Sequence, residues 1–136
     1  MTPTRTTLGA VLLAAVLTGG LAAPAVAGGT VTWNFVPQNK KDEQFVRKGL
    51  VLYQYLNQTK GNAVVNQKGR NNNAGLRQDG KGNLGVIHQD GNGHNATLDQ
   101  KGKNNAYGIF QYGGRTDAAV TQRGKGNAGL LFQWGW

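Results

Sequence analysis

The side chains in this sequence that are spaced for a joint chemical task are amides. Gln67, Gln78, Gln89, Gln100, Gln111, Gln122 and Gln133 recur every 11 residues. A primary amide both donates and accepts, so a column of stacked copies satisfies its own hydrogen bonds. One such group alone in an apolar interior would leave bonds unmade. The reactive groups have no comparable order. His88 reads as an outward strand residue and His94 as a turn residue, neither as a ligand. Asp79, Asp90, Asp99 and Asp117 lie a strand or more apart and read as solvated charges that restrain aggregation. Asp90-Gly91-Asn92-Gly93-His94 opens like a calcium loop, but Lys101 stands where the closing glutamate belongs. There is no nucleophile–base pair, no phosphate-cradling loop followed by Lys-Ser/Thr, and no cysteine. The sequence therefore predicts no catalytic residue, no metal site, no cofactor and no enzyme.

The amides must be positioned by a strand and a turn. Each is followed two residues later by glycine: Gly69, Gly80, Gly91, Gly102, Gly113 and Gly124, with Gly135 closing the series. From Gln78 onward each is preceded two residues earlier by an aliphatic residue: Leu76, Ile87, Leu98, Ile109, Val120 or Leu131. Asn72, Asn83, Asn105 and Asn127 share a further position, which His94 and Thr116 take in the intervening units. A series such as Asn72, Ala74, Leu76, Gln78, Gly80 keeps even separations, the period of one strand face. Regular Gly and Asn argue against a helix and supply the left-handed backbone of tight reversals. One unit is a strand plus a turn, two units close a 22-residue rung, and rungs stack about 4.8 Å apart. The predicted fold class is all-β, a β-solenoid of 11-residue units whose ends invite stacking into a cross-β amyloid fibre.

Alternate units form opposite walls. One wall sets His88, Phe110 and Phe132, then Asp90, Tyr112 and Trp134, in outward columns; the other stacks polar residues such as Arg77, Asp99 and Thr121. An apolar wall of this extent calls for a cover, either a neighbouring fibre or surface, or the N-terminal segment of the same chain. Tyr107 is oversized where its counterparts are Ala or Gly. No proline follows Pro37 and nothing follows the last strand, Gly129 to Trp136, so that end reads as uncapped.

Arg5, the apolar run Leu8 to Leu21 and Ala25-Val26-Ala27 read as a signal peptide, residues 1–27, too short for a membrane span. Residues 28–49 show no period and read as a flexible segment; Val51-Leu52-Tyr53-Gln54-Tyr55 reads as a first strand, and residues 50–136 as the solenoid. An exported chain without cysteine has no covalent staple, which leaves backbone ladders and stacked side chains to hold it. The charge of +9 favours anionic surfaces. It predicts no specific nucleic-acid site, because aromatics are not interleaved with basic residues.

The unit Gln-x-Gly-x-x-Asn-x-Ala-x-x-x-Gln is met in full by Gln67-Gly69-Asn72-Ala74-Gln78. With Gly for Ala it is met by Gln78-Gly80-Asn83-Gly85-Gln89 and by Gln122-Gly124-Asn127-Gly129-Gln133. This pattern resembles the repeat of the curlin family, which builds curli, the amyloid fibres of bacterial biofilms. Phe110-Gln111-Tyr112-Gly113-Gly114 is similar to curlin strand–turn sequence as well, and the resemblance covers Val51 to Trp136. It implies a secreted, extracellular subunit of a cell-surface fibre (fimbrium) serving adhesion and biofilm matrix. The partners it implies are further copies of the chain, a nucleator subunit and an outer-membrane secretion pore, with residues 28–49 in the place of a secretion-addressing segment. The last repeat keeps its Gln, Gly, Asn and aliphatic positions, which favours the major over the minor subunit. The alternatives are the minor nucleator and a soluble monomeric β-solenoid that binds polysaccharide or another surface through Phe110, Tyr112, Phe132 and Trp134.

Overall fold

The computed structural model describes residues 29–58 and 61–136; the expected signal peptide lies outside the described residues. In chain order the elements are strand β1 (Thr30–Phe35), helix α1 (Lys40–Leu56), then β2 (Ala63–Lys68), β3 (Asn73–Asp79), β4 (Leu84–Asn92), β5 (Asn95–Lys103), β6 (Ala106–Gly114), β7 (Asp117–Lys125) and β8 (Ala128–Gly135). From Ala63 onward successive strands alternate between two sheets. One has the order β1-β8-β6-β4-β2 and the other β3-β5-β7. Every pairing among β2 to β8 is parallel, since a strand meets its neighbour only after the chain has visited the opposite sheet. The register sets like on like: Ile87 pairs Ile109 and Gln89 pairs Gln111. The result is the predicted β-solenoid, about three turns of ~22 residues per rung.

The turns owe their shape to one position repeated in each. Asn71, Gly82, Gly93, Asn104, Arg115 and Gly126 all have φ between 52 and 76°. Glycine and asparagine enter this left-handed region readily, whereas Arg115 holds it against a steric penalty.

Apolar packing forms two layers. Between the sheets lie Ile87, Ala96, Leu98, Tyr107, Ile109, Ala118 and Leu131, with Ala74, Leu76 and Val120 at their margin. The second layer lies outside the five-stranded sheet, where Val46 and Leu50 of α1 pack on Val64, Leu84, Val86, Ala106 and Phe110. Gly108 leaves the recess for the helix: a Cβ there would lie 2.6 Å from Leu50 Cδ2. The apolar wall is thus covered by the chain's own N-terminal segment.

Three expectations are corrected. Val51 to Tyr55 is not a strand but the final part of α1. Its β-branched and aromatic content favours a strand, yet Val46, Leu50 and Tyr53 follow helical spacing and find the apolar wall. The start is capped: Asn39 Oδ1 accepts from the Asp42 amide at 2.9 Å, and Asp42 and Glu43 sit in the first turn, against the positive end of the helix dipole. The segment expected to be loose therefore carries β1 and most of α1. The last strand is not uncapped either. β1 pairs antiparallel with β8, from Thr30↔Gly135 to Phe35↔Leu130.

Candidate functional site

The repeated amides form two columns, one per sheet, and each column has a direction. In the first, Gln67 Nε2 donates to Gln89 Oε1 (2.7 Å), Gln89 to Gln111 (2.9 Å) and Gln111 to Gln133 (2.8 Å). In the second, Gln78 donates to Gln100 and Gln100 to Gln122, both at 2.8 Å. From Gln89 onward the second N–H of each amide ties the sheets together across the interior. Gln89 reaches the Asn73 carbonyl, Gln100 that of Leu84, Gln111 that of Asn95 and Gln133 that of Asp117, at 2.9 to 3.0 Å. Gln89, Gln100 and Gln111 are fully buried with every amide hydrogen used.

The asparagines do equivalent work at the turns. Asn83 Nδ2 closes its own turn on the Asp79 carbonyl and reaches Gly102 O, while its Oδ1 accepts from the Asn105 amide in the next rung. Asn105 repeats this toward Asn127. The exceptional residues make a column of their own: Asn72 Oδ1 accepts from the His94 amide, and His94 Nδ1 lies 2.7 Å from Thr116 Oγ1. His94 is fully buried. The turn glycines set how closely rungs approach. A Cβ on Gly69, Gly80, Gly91 or Gly102 would lie within 2 Å of a carbonyl oxygen of the next rung.

The two ends of the stack differ. At the N-terminal end the inward side chains stand open: Val65 is 46% exposed, and Gln67 presents an Oε1 that accepts from no further rung among the described residues. At the C-terminal end the donors face outward. Gln133 Nε2 turns to Thr32 Oγ1 of β1 at 3.3 Å, while among the described residues β7 has no strand beyond it in its sheet. Tyr107 reaches the same end. It fills the space over Gly129, where a Cβ would lie 2.4 Å from its ring, and its hydroxyl donates to Asn34 Oδ1 of β1 at 3.1 Å. Burial pushes its pKa up to about 12. Thr32, Trp33 and Asn34 were not singled out by sequence reasoning, because an antiparallel strand of six residues leaves no periodic trace. The helix start was readable in Asn39 followed by Asp42 and Glu43.

The outward aromatic row of Phe110 and Phe132 lies beneath α1 and is extended at the sheet edge by Trp33 of β1. Phe110 stacks on Phe132 (centroids 5.0 Å), Phe132 on Trp33 (5.3 Å) and Tyr112 on Trp134 (6.0 Å). At the N-terminal side of this row the Tyr53 hydroxyl lies 2.6 Å from His88 Nδ1 and joins α1 to β4. Burial holds the His88 pKa below its ordinary 6.5, opposed by Asp90 and helped by Lys68. A lowered value means that the undocked chain takes the proton first. Helix docking therefore has its full stability above pH 6.5 and loses part of it as pH falls from there toward the lowered value. Amide exchange in α1 is expected to quicken between about pH 7.5 and about pH 5, after correction for intrinsic rates. His88→Asn should abolish the change. Unaltered protection across that range would remove His88 from helix docking.

Among the described residues no helix is long and apolar enough to cross a membrane. No curated protein and no solved structure matches this chain. The curlin associated repeat matches residues 69–102 and, one unit on, 80–113. Those residues run from the turn after β2 to the end of β6 and hold the buried centres of both amide columns. The matched stretch is thus similar to curlin associated repeats, and the likeness falls on the strands and turns that carry both columns.

Proposed function

We propose that this chain is a secreted structural subunit that polymerises head to tail into curli-like functional amyloid fibres on the bacterial surface, for adhesion and biofilm matrix. The observation that carries the reading is the direction of the amide columns. Acceptors Gln67 Oε1 and Gln78 Oε1 face one end, and donors Gln122 Nε2 and Gln133 Nε2 face the other. One copy's donors thus fit the next copy's acceptors in a contact that repeats without closing. Val65 over Leu131, and Leu76 over Val120, would extend the aliphatic columns across the same junction. The last rung keeps the Gln, Gly, Asn and aliphatic positions of the repeat, which favours the major subunit, with a nucleator and an outer-membrane secretion pore as partners. The polysaccharide-binding alternative needs its aromatic row exposed, and Phe110 is buried beneath α1.

The test is thioflavin fluorescence with electron microscopy on the chain from residue 28, freshly diluted from denaturant. Dye-positive fibres are expected after a lag, and sooner when preformed fibres are added. A β-rich chain that remains a dye-silent monomer, seeded or not, would overturn the reading.

A further inference from the structure

We propose that β1 is a displaceable cap: it occupies on β8 the place that β2 of the next copy must take, so docking of β1 and growth of the stack exclude one another. The proposal rests on the head-to-tail reading above and adds to it a gate within the chain. Its basis is that β8 and β2 are copies in one register. The columns that run Val65, Ile87, Ile109, Leu131 and Gln67, Gln89, Gln111, Gln133 end at the edge where β1 lies. An incoming β2 would add parallel, with Val65 on Leu131 and Gln67 on Gln133. β1 instead adds antiparallel and sets Asn34 against Leu131 and Thr32 against Gln133.

The match between β1 and this edge is incomplete, as a removable element requires. A hydroxyl at 3.3 Å stands in for the amide that accepts at 2.7 to 2.9 Å elsewhere in the column. Asn34 brings a polar side chain to an aliphatic column. Trp33 gains its stack on Phe132, yet its Nε1–H is buried with no partner among the described residues, a standing cost of the docked state. The neighbouring sheet is already open. Among the described residues β7 has no strand beyond it, and Gln122, Thr121 and Arg123 of β7 line a cleft of about 360 Å³ with Val36 and Pro37 of the β1–α1 link. An incoming β3 would lie along this edge. The apolar side of helix α1 packs on the outer face of the sheet and only Glu43 of the helix reaches the cleft beside β7, so β1 can leave while α1 stays.

Two variants of the chain from residue 28 test the gate in seeded elongation, followed by thioflavin fluorescence and electron microscopy. Gly29 and Trp136 exchange both backbone hydrogen bonds, so Val31, two residues along, also points its N–H at β8. Val31→Pro removes that bond and loosens β1. It is expected to elongate about fivefold or more faster than the parent chain. The second variant carries Asn34→Cys and Leu131→Cys, a facing pair of the narrow type with Cα atoms about 4.5 Å apart, within disulfide reach. The chain has no other cysteine. Oxidised, this variant should elongate at least about fivefold more slowly than the same protein reduced. Equal rates in both comparisons, or slower growth of Val31→Pro, would overturn the cap while leaving self-assembly in place. Oxidation that links two copies instead of one would show β1 exchanged between chains and would also overturn it. No fibres from any form would overturn both readings together.

Discussion

Gly91→Ala is expected to abolish folding of the solenoid, while Gly126→Ala leaves it folded. Both glycines have positive φ, +133° and +72°; the second lies beside the left-handed well that other residues can enter and the first well outside it. The next rung separates them further. A Cβ on Gly91 would stand 1.8 Å from Gly113 O, 2.8 Å from Gly113 C and 2.9 Å from His94 Nε2. Two of those atoms are backbone in a parallel ladder and cannot withdraw without breaking the rung spacing on both sides. Gly126 lies at the last turn, and an added methyl there meets nothing within 4 Å. Its cost is the left-handed penalty, about 1 to 2 kcal/mol. The collision at Gly91 belongs with the exceptional substitutions of more than about 4 kcal/mol, a large part of a total near 5 to 15 kcal/mol. Urea unfolding of freshly prepared monomer, followed by circular dichroism, measures both. Similar midpoints for the two variants would mean that rung spacing is not set by the turn glycines.

Gln111→Ala is expected to destabilise the monomer by about 3 to 5 kcal/mol, and Gln67→Ala by less than about 1 kcal/mol. Gln111 is fully buried at the middle of its column. Its removal takes away the acceptor of Gln89 Nε2 and the donors of Gln133 Oε1 and Asn95 O, and leaves a cavity between the sheets. Each polar group left unpaired in the interior costs about 1 to 3 kcal/mol. Gln111→Leu separates the two causes: it restores most of the volume and none of the hydrogen bonds, so it should recover only the cavity part. Gln67 makes the same type of bond to Gln89 but stands at the open end, where water replaces what is lost. Equal losses at the two positions, or full recovery with leucine, would show that packing rather than amide stacking carries the columns.

Much of the solenoid is legible in the sequence because its repeat is written directly along the chain. The spacing of Gln67 to Gln133 places each amide over its copy, and the even separation of Asn83, Gly85, Ile87 and Gln89 puts them on one strand face. A shift of one residue would turn each of these side chains to the wrong side. The contrast between the aromatic and polar walls follows from the same arithmetic. Tyr107 was readable as an exception but not in its role, since the space it fills is made by Gly129 and its hydroxyl partner is Asn34, 73 residues away.

The segment before the repeat was legible only in part. Asn39 with Asp42 and Glu43 marks a helix start, yet the strand-like run Val51 to Tyr55 argues the other way, and local preference alone does not decide between them. The decision lies in Leu50 meeting the recess at Gly108 and Tyr53 meeting His88. Likewise nothing local tells Thr30 to Phe35 to cap β8; Trp33 becomes a capping residue only when Phe132 is brought beside it. By itself the sequence determined the period, the register and the residues that face inward, because repetition fixes which side chains stack whatever surrounds them. Tertiary structure alone decided which wall is covered and which end is closed. Those outcomes depend on contacts between segments far apart in the chain, from Tyr53 and His88 at a separation of 35 to Thr32 and Gln133 at 101, whose complementarity exists only once the rungs have formed.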